Sequence, residues 1–247
     1  MFTRVEALIG KDKLEFLKTK KVCVFGIGGV GGIIVESLVR SGIGEIGIVD
    51  ADIVDISNKN RQIIALDSTL DKLKVEVMFD RLKDINPNVK IKCYPYFYGV
   101  DEKISNEKIK IDKINSMKCE VYKDVDLEYY DYIVDAIDTV TAKISIITEC
   151  VDKNIKIISS MGTANRLDEN KLFIMDISKT NTCKLAKVIR TTLRKKGINK
   201  GVPVLCSTEV PKKNNGVLGS ISYVTSSAGL KIAGYVIRDL LKGESWW

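Results

Sequence analysis

The sequence predicts an α/β fold of the Rossmann-like, doubly wound type, with a mostly parallel sheet and antiparallel additions toward its C-terminus. Three observations support this. A glycine-rich turn follows a short apolar run, similar runs alternate with amphipathic helical patterns, and the pattern changes after residue 163. Short apolar runs between helices are typical of parallel strands covered on both faces, joined by right-handed crossovers.

The length of the chain allows one large hydrophobic core. With 247 residues, 45% of them hydrophobic, we expect a single domain over residues 1–247. Within it we predict a helical leader at 1–20, a nucleotide-binding core at 21–162, and a basic arm with C-terminal strands and a helix at 163–247.

A nucleotide-binding turn is predicted directly after the first strand. Val22 to Phe25 has no polar face, and it runs into a Gly-Ile-Gly-Gly-Val-Gly sequence with glycines at Gly26, Gly28, Gly29 and Gly31. Such glycines allow a tight turn and bring phosphate oxygens close to the N–H groups that begin the next helix. A second strand, Ile46 to Val49, ends on Asp50, 19 residues after Gly31, the spacing of an acid that binds a ribose hydroxyl. The alternative is a glycine turn with a structural role only.

Polar residues follow the second strand, where open α/β sheets place ligand contacts. Arg61 offers a planar guanidinium to phosphate oxygens, and Asn58 a short hydrogen-bonding side chain. A helix is predicted from Thr69 to Asn86, with Lys74 in its first turns. On residues alone, Lys74 is better explained as an inert lysine on an exposed helix face.

A second acid is predicted at the carboxyl edge of the sheet. The apolar run Tyr132 to Asp138 predicts a strand that delivers Asp138 there, where it suits a Mg²⁺ ion accompanying ATP phosphates. The alternative is a helix N-cap, because the next helix begins near Thr139.

The remaining predicted elements are a strand at 89–98, a surface insertion at 99–128, a helix through 144–151, a strand at 155–159, an alternating strand at 171–176, a helix at 185–194, a loop at 197–215, and a helix at 226–242.

Positive charge is concentrated in one segment. Residues 179–213 hold ten Lys or Arg and one acid, so this basic arm has a net charge of +9. The rest of the chain is slightly acidic, which brings the net charge of the whole chain to +7. This distribution favours a polyanionic partner, nucleic acid rather than membrane. The candidate contacts are Lys184, Lys187, Arg190, Arg194, Lys212 and Lys213. The alternative is a solvated helix face.

Composition excludes several other classes of chemistry. There is no histidine, and the six cysteines stand singly without a Cys-x-x-Cys pair, which argues against a zinc tetrad or a disulfide framework. No apolar signal segment or membrane span is apparent, so we expect a cytoplasmic protein.

The motifs resemble those of the ThiF/MoeB/E1-like adenylating enzymes. The glycine sequence, Asp50-Ala51-Asp52, the run from Ser57 to Gln62, Lys74, and Asp135-Ala136-Ile137-Asp138-Thr139 stand in the family's order and spacing. Within the superfamily, the chain resembles the tRNA threonylcarbamoyladenosine dehydratase branch at further motifs, including Arg40 to Gly44, Asp84 to Pro87, Ser160 to Gly162 and Ser207 to Glu209.

The resemblance implies an ATP-dependent, AMP-forming cyclisation of threonylcarbamoyladenosine at position 37 of tRNA, through an acyl adenylate. It implies Arg61, Lys74 and Asp138 as catalytic residues and Asp138 as the Mg²⁺ ligand. The implied ATP contacts are Gly26, Gly28, Gly29, Gly31, Asp50, Asp52, Asn58, Arg61, Gln62, Lys74 and Asp138.

The resemblance also implies a homodimer and leaves room for a sulfurtransferase-type accessory protein. The main alternative is an adenylating enzyme for a ubiquitin-like sulfur carrier, which is weakened because this chain lacks the Cys-x-x-Cys pairs common in that branch. A nucleotide-gated tRNA-binding scaffold without catalysis is a third hypothesis.

Overall fold

The structure, a computed structural model, describes residues 1–98, 117, 119–213 and 216–242. The strands in these ranges are β1 (Lys21–Phe25), β2 (Glu45–Val49), β3 (Lys90–Tyr94), β4 (Tyr132–Asp135), β5 (Ile157–Ser160), β6 (Leu172–Asp176) and β7 (Pro203–Ser207). The helices are α1 (Thr3–Ile9), α2 (Lys11–Lys18), α3 (Gly31–Arg40), α4 (Lys74–Ile85), α5 (Val140–Asp152), α6 (Lys184–Lys195) and α7 (Ser222–Leu240).

The strands form one seven-stranded sheet in the order β3-β2-β1-β4-β5-β7-β6. All neighbouring pairs are parallel except β6 and β7, which are antiparallel. The sequence order reverses between β1 and β4, and ligands of open α/β sheets bind at such a switch point, outside the carboxyl ends of the strands. The predicted fold class is therefore confirmed.

Helices cover both faces of the sheet. The helices α3, α4 and α7 pack on one face over a core that includes Val24, Ile48 and Val134. The other face is covered by α5 and α6 over a core that includes Phe25 and Ile133. Side chains of β1 thus alternate between two cores, which explains why that run has no polar face.

Helix α4 begins five residues later than predicted, at Lys74 rather than Thr69. Asp71 has a φ of +63°, and Ile53 and Leu73 form an antiparallel bridge, so the chain before α4 is extended instead of helical. Lys74 consequently starts the helix at the sheet edge instead of lying on its outer face.

Strand β7 lies within residues 197–215, which the sequence pattern had marked as a loop; that prediction was wrong. Pro203 is tolerated because it is the first residue of the strand, where a missing N–H costs little. Two further boundaries differ. Strand β3 ends at Tyr94, just before Pro95, and α7 begins at Ser222 rather than Ser226.

Several other predictions can be compared with the described residues. The insertion predicted at 99–128 falls largely outside them, although residues 127–129 form a short 3-10 turn. All six cysteines are buried and free. Within the described ranges, no helix is long and apolar enough to span a membrane.

Candidate functional site

The glycine turn after β1 is held by backbone geometry that only glycine allows. Gly26 has a φ of +85°, and a Cβ there would lie 2.8 Å from the carbonyl oxygen of Ala136. A Cβ at Gly31 would overlap the carbonyl oxygen of Gly26. The turn therefore brings β1, the residues after β4 and the N-terminus of α3 together at the switch point of the sheet, where free N–H groups can meet phosphates.

Asp50 fixes the turn from the end of β2. Its Oδ2 accepts a hydrogen bond from the N–H of Ile27 at 2.7 Å, and its Oδ1 accepts one from the N–H of Asp52 at 2.8 Å. Burial raises the pKa of Asp50 above its ordinary value, and the charge of Lys74 opposes that shift. The carboxylate thus lies next to the glycines, as the spacing predicted.

Lys74 is buried against two carboxylates. It is 5% exposed, and its Nζ lies 2.8 Å from Asp52 Oδ2 and 3.9 Å from Asp50 Oδ1. The backbone explains this position, because the N–H of Lys74 donates to the carbonyl of Asp52 at 2.9 Å. The interpretation of Lys74 as an inert surface lysine is therefore wrong.

The loop that carries Asn58 is locked by its own hydrogen bonds. Asp55 accepts from the N–H of Ser57 at 2.8 Å, and Asn58 Oδ1 accepts from the N–H of Asp55 at 3.2 Å. The carbonyl of Asn58 then accepts from the N–H of Gln62 at 2.9 Å. Asn58 is buried and acts here as a support of the loop.

Gln62 has an unsatisfied polar atom beside the glycine turn. Its Oε1 is buried with no hydrogen-bond donor in the described part of the chain, and its Nε2 lies 3.8 Å from where a Cβ of Gly28 would be. Buried amide oxygens are normally paired, so this atom is suited to a ligand donor.

Arg61 lies along the same turn. Its Cγ is 3.2 Å from the position of a Cβ on Gly29, and its Nη1 donates to the carbonyl of Ser57 and to Asn60 Oδ1, both at 2.9 Å. One edge of the guanidinium is thus anchored, while Nε and Nη2 have no acceptor among the described residues. That arrangement leaves a donor edge for phosphate oxygens.

Asp138 is exposed at the carboxyl end of β4, and no described residue pairs with it. The N-cap of α5 is Thr139, without a side-chain cap bond, so the alternative of Asp138 as the N-cap is wrong. No group of three or more Cys, Asp or Glu side chains in the described ranges is arranged to hold a metal ion. A single free carboxylate fits a Mg²⁺ ion whose other ligands are phosphate oxygens and water.

A buried network that the sequence pattern did not reveal supports the segment before Asp138. Asp135 Oδ2 accepts from Lys143 Nζ at 2.8 Å and from Ser159 Oγ at 2.6 Å, and its Oδ1 accepts from the N–H of Ile137 at 3.1 Å. Asp135 and Lys143 are both completely buried. An aspartate at the end of an apolar run was visible in the sequence, but its partners come from elements 8 and 24 residues away.

The basic arm is only partly exposed. Lys184, Lys187, Arg194, Lys212 and Lys213 are exposed. Arg190 differs from expectation, because it is half-buried and its guanidinium donates to the carbonyl and the hydroxyl of Thr180. Val188, placed by the pattern on the apolar face of α6, is 47% exposed.

The sequence of this chain is similar to those of known proteins along almost its whole length. Residues 3–243 match the model of the ThiF family. The chain is 41% identical to a tRNA threonylcarbamoyladenosine dehydratase of Bacillus subtilis, over 98% of this chain and 94% of that protein. It is 32% identical to a protein of the same name from Haemophilus influenzae, over 99% of this chain and 94% of the relative.

A solved structure gives the same result. The tRNA N6-threonylcarbamoyladenosine dehydratase TcdA of Escherichia coli, crystallised in complex with ATP, superposes with a TM-score of 0.83 at 28% identity, covering 98% of this chain and 94% of that one. This chain therefore belongs to the ThiF family, which it shares with the tRNA threonylcarbamoyladenosine dehydratases of these comparisons.

Proposed function

We propose that this protein is an ATP-dependent tRNA threonylcarbamoyladenosine dehydratase. The observation that supports this best is the convergence of Asp50, Lys74 and Arg61 around the glycine turn, in a chain 41% identical to a protein of that name. Asp138 follows two residues after Ala136, whose carbonyl lies against Gly26. The substrate is tRNA that carries threonylcarbamoyladenosine at position 37, and the products are a cyclised base, AMP and pyrophosphate.

The nucleotide is held by groups that are already in position. The N–H groups at the start of α3 and the free edge of Arg61 face the phosphates, and Asp50 accepts from the ribose. The amide of Gln62 adds a polar contact beside Gly28. Asp138 would hold Mg²⁺, which neutralises developing phosphate charge when bound.

The reaction needs no protein nucleophile. A carboxylate oxygen of the threonyl group attacks the α-phosphorus of ATP, and the bond to the bridging oxygen breaks so that pyrophosphate leaves. The carbamoyl group of the same base then attacks the activated carbonyl carbon, a ring closes, and AMP departs with the former carboxylate oxygen. Ring closure is intramolecular and therefore favoured by proximity, which agrees with a chain that contains no histidine.

The test is incubation of the purified protein with Mg-ATP and tRNA bearing threonylcarbamoyladenosine, followed by mass spectrometry of the nucleosides and measurement of AMP. We expect the modified nucleoside to lose one water, with one AMP formed per cyclised base. Pyrophosphate exchange that requires a ubiquitin-like carrier, or ATP binding without AMP formation, would contradict the proposal.

The location and assembly follow from the same proposal. We propose that the protein acts in the cytoplasm as a homodimer, and light scattering of the purified protein tests the dimer. A sulfurtransferase-type accessory protein is proposed on the family resemblance alone, and turnover by the purified chain without additions would make it unnecessary.

A further inference from the structure

Arg166 is a buried cation with no ion pair to any described residue. It is 3% exposed, and its Nε and Nη1 are buried with no hydrogen-bond partner within the described ranges. The other two buried cations in the described part of the chain are Lys74 and Lys143, and each lies 2.8 Å from a carboxylate oxygen. Because an unpaired buried charge is strongly unfavourable, the exception indicates a missing anion.

The acids nearest to Arg166 in the chain and in its loop are engaged elsewhere. Glu209 accepts from the N–H groups of Leu167 and Asp168, at 3.0 and 2.9 Å. Asp168 accepts from the N–H of Asn170 at 3.0 Å. These bonds fix the loop that carries Arg166 and leave its Nε and Nη1 without an acceptor among the described residues. The charge of Arg166 opposes the rise in the pKa of the nearby Cys206 thiol, but Cys183 and burial keep that pKa raised, so the thiol stays neutral and supplies no counter-charge. We therefore look to a ligand for the anion.

The loop with Arg166 lies at the carboxyl edge that binds the nucleotide. It follows β5, the neighbour of β4, and Asn165 exchanges two hydrogen bonds with Gly219, at 2.8 and 2.7 Å. The next residue, Ser220, accepts from Asn60 Nδ2 at 3.0 Å. One short segment therefore connects the Arg166 loop with the loop of Arg61, and Arg166 lies on the side of the switch point away from Asp50.

We propose that Arg166 binds the threonyl carboxylate of the modified adenosine and presents it to the α-phosphate. This inference rests on the proposed function. A guanidinium matches a carboxylate with two parallel N–H···O bonds. A terminal carboxylate can enter a closed site, whereas a backbone phosphate is continuous with the RNA chain on both sides and suits the exposed lysines of α6 better. The contact orients the acid before its oxygen attacks.

The first experiment measures binding of the free nucleoside N6-threonylcarbamoyladenosine in the presence of a non-hydrolysable ATP analogue. A charge-assisted pair of hydrogen bonds predicts that Arg166→Ala weakens this binding about tenfold or more, with Arg166→Lys in between. Affinity for the ATP analogue alone should not change. An unchanged nucleoside affinity in Arg166→Ala would overturn the proposal.

The second experiment uses whole tRNA to separate the two sources of an anion. With tRNA that lacks the modification, Arg166→Ala should bind as the wild type does, and with modified tRNA the KM should rise about tenfold or more. Equal weakening with both tRNAs would show a backbone-phosphate contact instead and would contradict the proposal. Failure of the wild type to cyclise the base, with Arg166-dependent nucleoside binding retained, would reject the proposed function and leave only the binding of the threonyl carboxylate by Arg166 standing.

The third measurement distinguishes a ligand contact from a structural role. Arg166→Met replaces an unpaired charge by an apolar chain of similar length, so its Tm should equal or exceed that of the wild type while nucleoside binding is lost. Arg40→Met is the control, since Arg40 is 53% exposed and pairs with Glu36 at the far end of α3. A lower Tm for Arg166→Met with unchanged nucleoside binding would refute the assignment.

Discussion

Arg61 is anchored by Nη1 to its own loop and lies against the glycine turn, which leaves Nε and Nη2 without an acceptor among the described residues. In the proposed function these donors bind the phosphates. We expect Arg61→Ala to reduce AMP formation by at least about a hundredfold, because pre-placed donors stabilise the charge that develops as pyrophosphate leaves. The far-ultraviolet circular dichroism and Tm should stay near those of the wild type, since the hydrogen bonds of the Arg61 side chain are made only to Ser57 and Asn60 of its own loop.

Lys59→Ala is the matched control, because Lys59 lies in the same loop and pairs with Asp67 at 2.6 Å, away from the glycines. Its AMP formation should stay within about twofold of the wild type, as expected when an exposed ion pair is removed. Wild-type turnover in Arg61→Ala would remove Arg61 from the active site.

Asp50 and Lys74 form a pair whose charges depend on each other. Burial raises the pKa of Asp50, Lys74 lowers it, and Asp52 raises it further. In Lys74→Gln the opposing charge is gone, so the pKa of Asp50 should rise and its carboxylate should be protonated at a higher pH. ATP affinity, measured as a function of pH, should then begin to fall at a higher pH in the variant than in the wild type, in addition to a loss of affinity at all pH values. A fall of ATP affinity at the same pH as in the wild type would contradict this coupling.

Some residues of the site could be predicted from sequence and others could not. The glycines, Asp50 and Arg61 occupy fixed offsets from strand ends, and local backbone geometry determines where such side chains lie. Arg166 gave no such signal, because an arginine in a polar loop is ordinarily exposed and its burial depends on segments some 40 to 50 residues later in the chain.

At the scale of elements, Glu36 joins α3 to α4. It accepts from Arg40 Nε at 2.7 Å and from Arg81 Nε at 2.6 Å. Burial alone would raise the pKa of Glu36, but the hydrogen bonds and charges of Arg81 and Arg40 lower it below its ordinary 4.5. An acid with a lowered pKa stabilises the fold fully above its unfolded pKa and loses that contribution as the pH falls through the folded value.

Glu36→Gln should therefore lower the free energy of unfolding by about 1 kcal/mol at pH 7, a small value because both arginines are partly exposed. Below pH 4.5 the difference from the wild type should shrink progressively. Urea unfolding at a series of pH values measures this. A difference that stays constant down to pH 3 would show that Glu36 acts through packing instead of charge.

Element boundaries show where local patterns were insufficient. The apolar periodicity of α4 was visible, but its start depends on the bridge between Ile53 and Leu73, which joins residues twenty positions apart. Strand β7 has only five residues and begins with Pro203, so it could not be recognised from its own sequence, and its place between β5 and β6 stabilises it. Pairing with residues distant in the sequence therefore determines both where α4 begins and that β7 is a strand.

At the scale of the whole molecule, fold class and charge distribution were both predictable, because each depends on many residues and tolerates local errors. The mostly parallel sheet follows from the alternation of strands and helices along the chain, and the charge of the basic arm is a sum over 35 positions. Which basic side chains are exposed was not predictable, because the bonds from Arg190 to Thr180 turn that guanidinium inward.

The exposed basic face of α6 is the surface on which we expect the RNA backbone to bind. Lys187 and Arg194 are exposed on this helix, so the double variant Lys187→Glu, Arg194→Glu should weaken binding of modified and unmodified tRNA alike. The slope of log affinity against log salt concentration should fall by about 2, roughly 1 for each phosphate that is no longer neutralised. Filter binding between about 50 and 200 mM salt measures both quantities.

Lys11→Glu, Lys90→Glu makes the same charge change at exposed positions on α2 and at the start of β3, away from the carboxyl edge of the sheet. This control should keep the wild-type salt slope, because only general repulsion is added. Equal weakening in the two double variants would mean that net charge, rather than the face of α6, attracts tRNA. A loss confined to the α6 variant would place the RNA backbone on this helix.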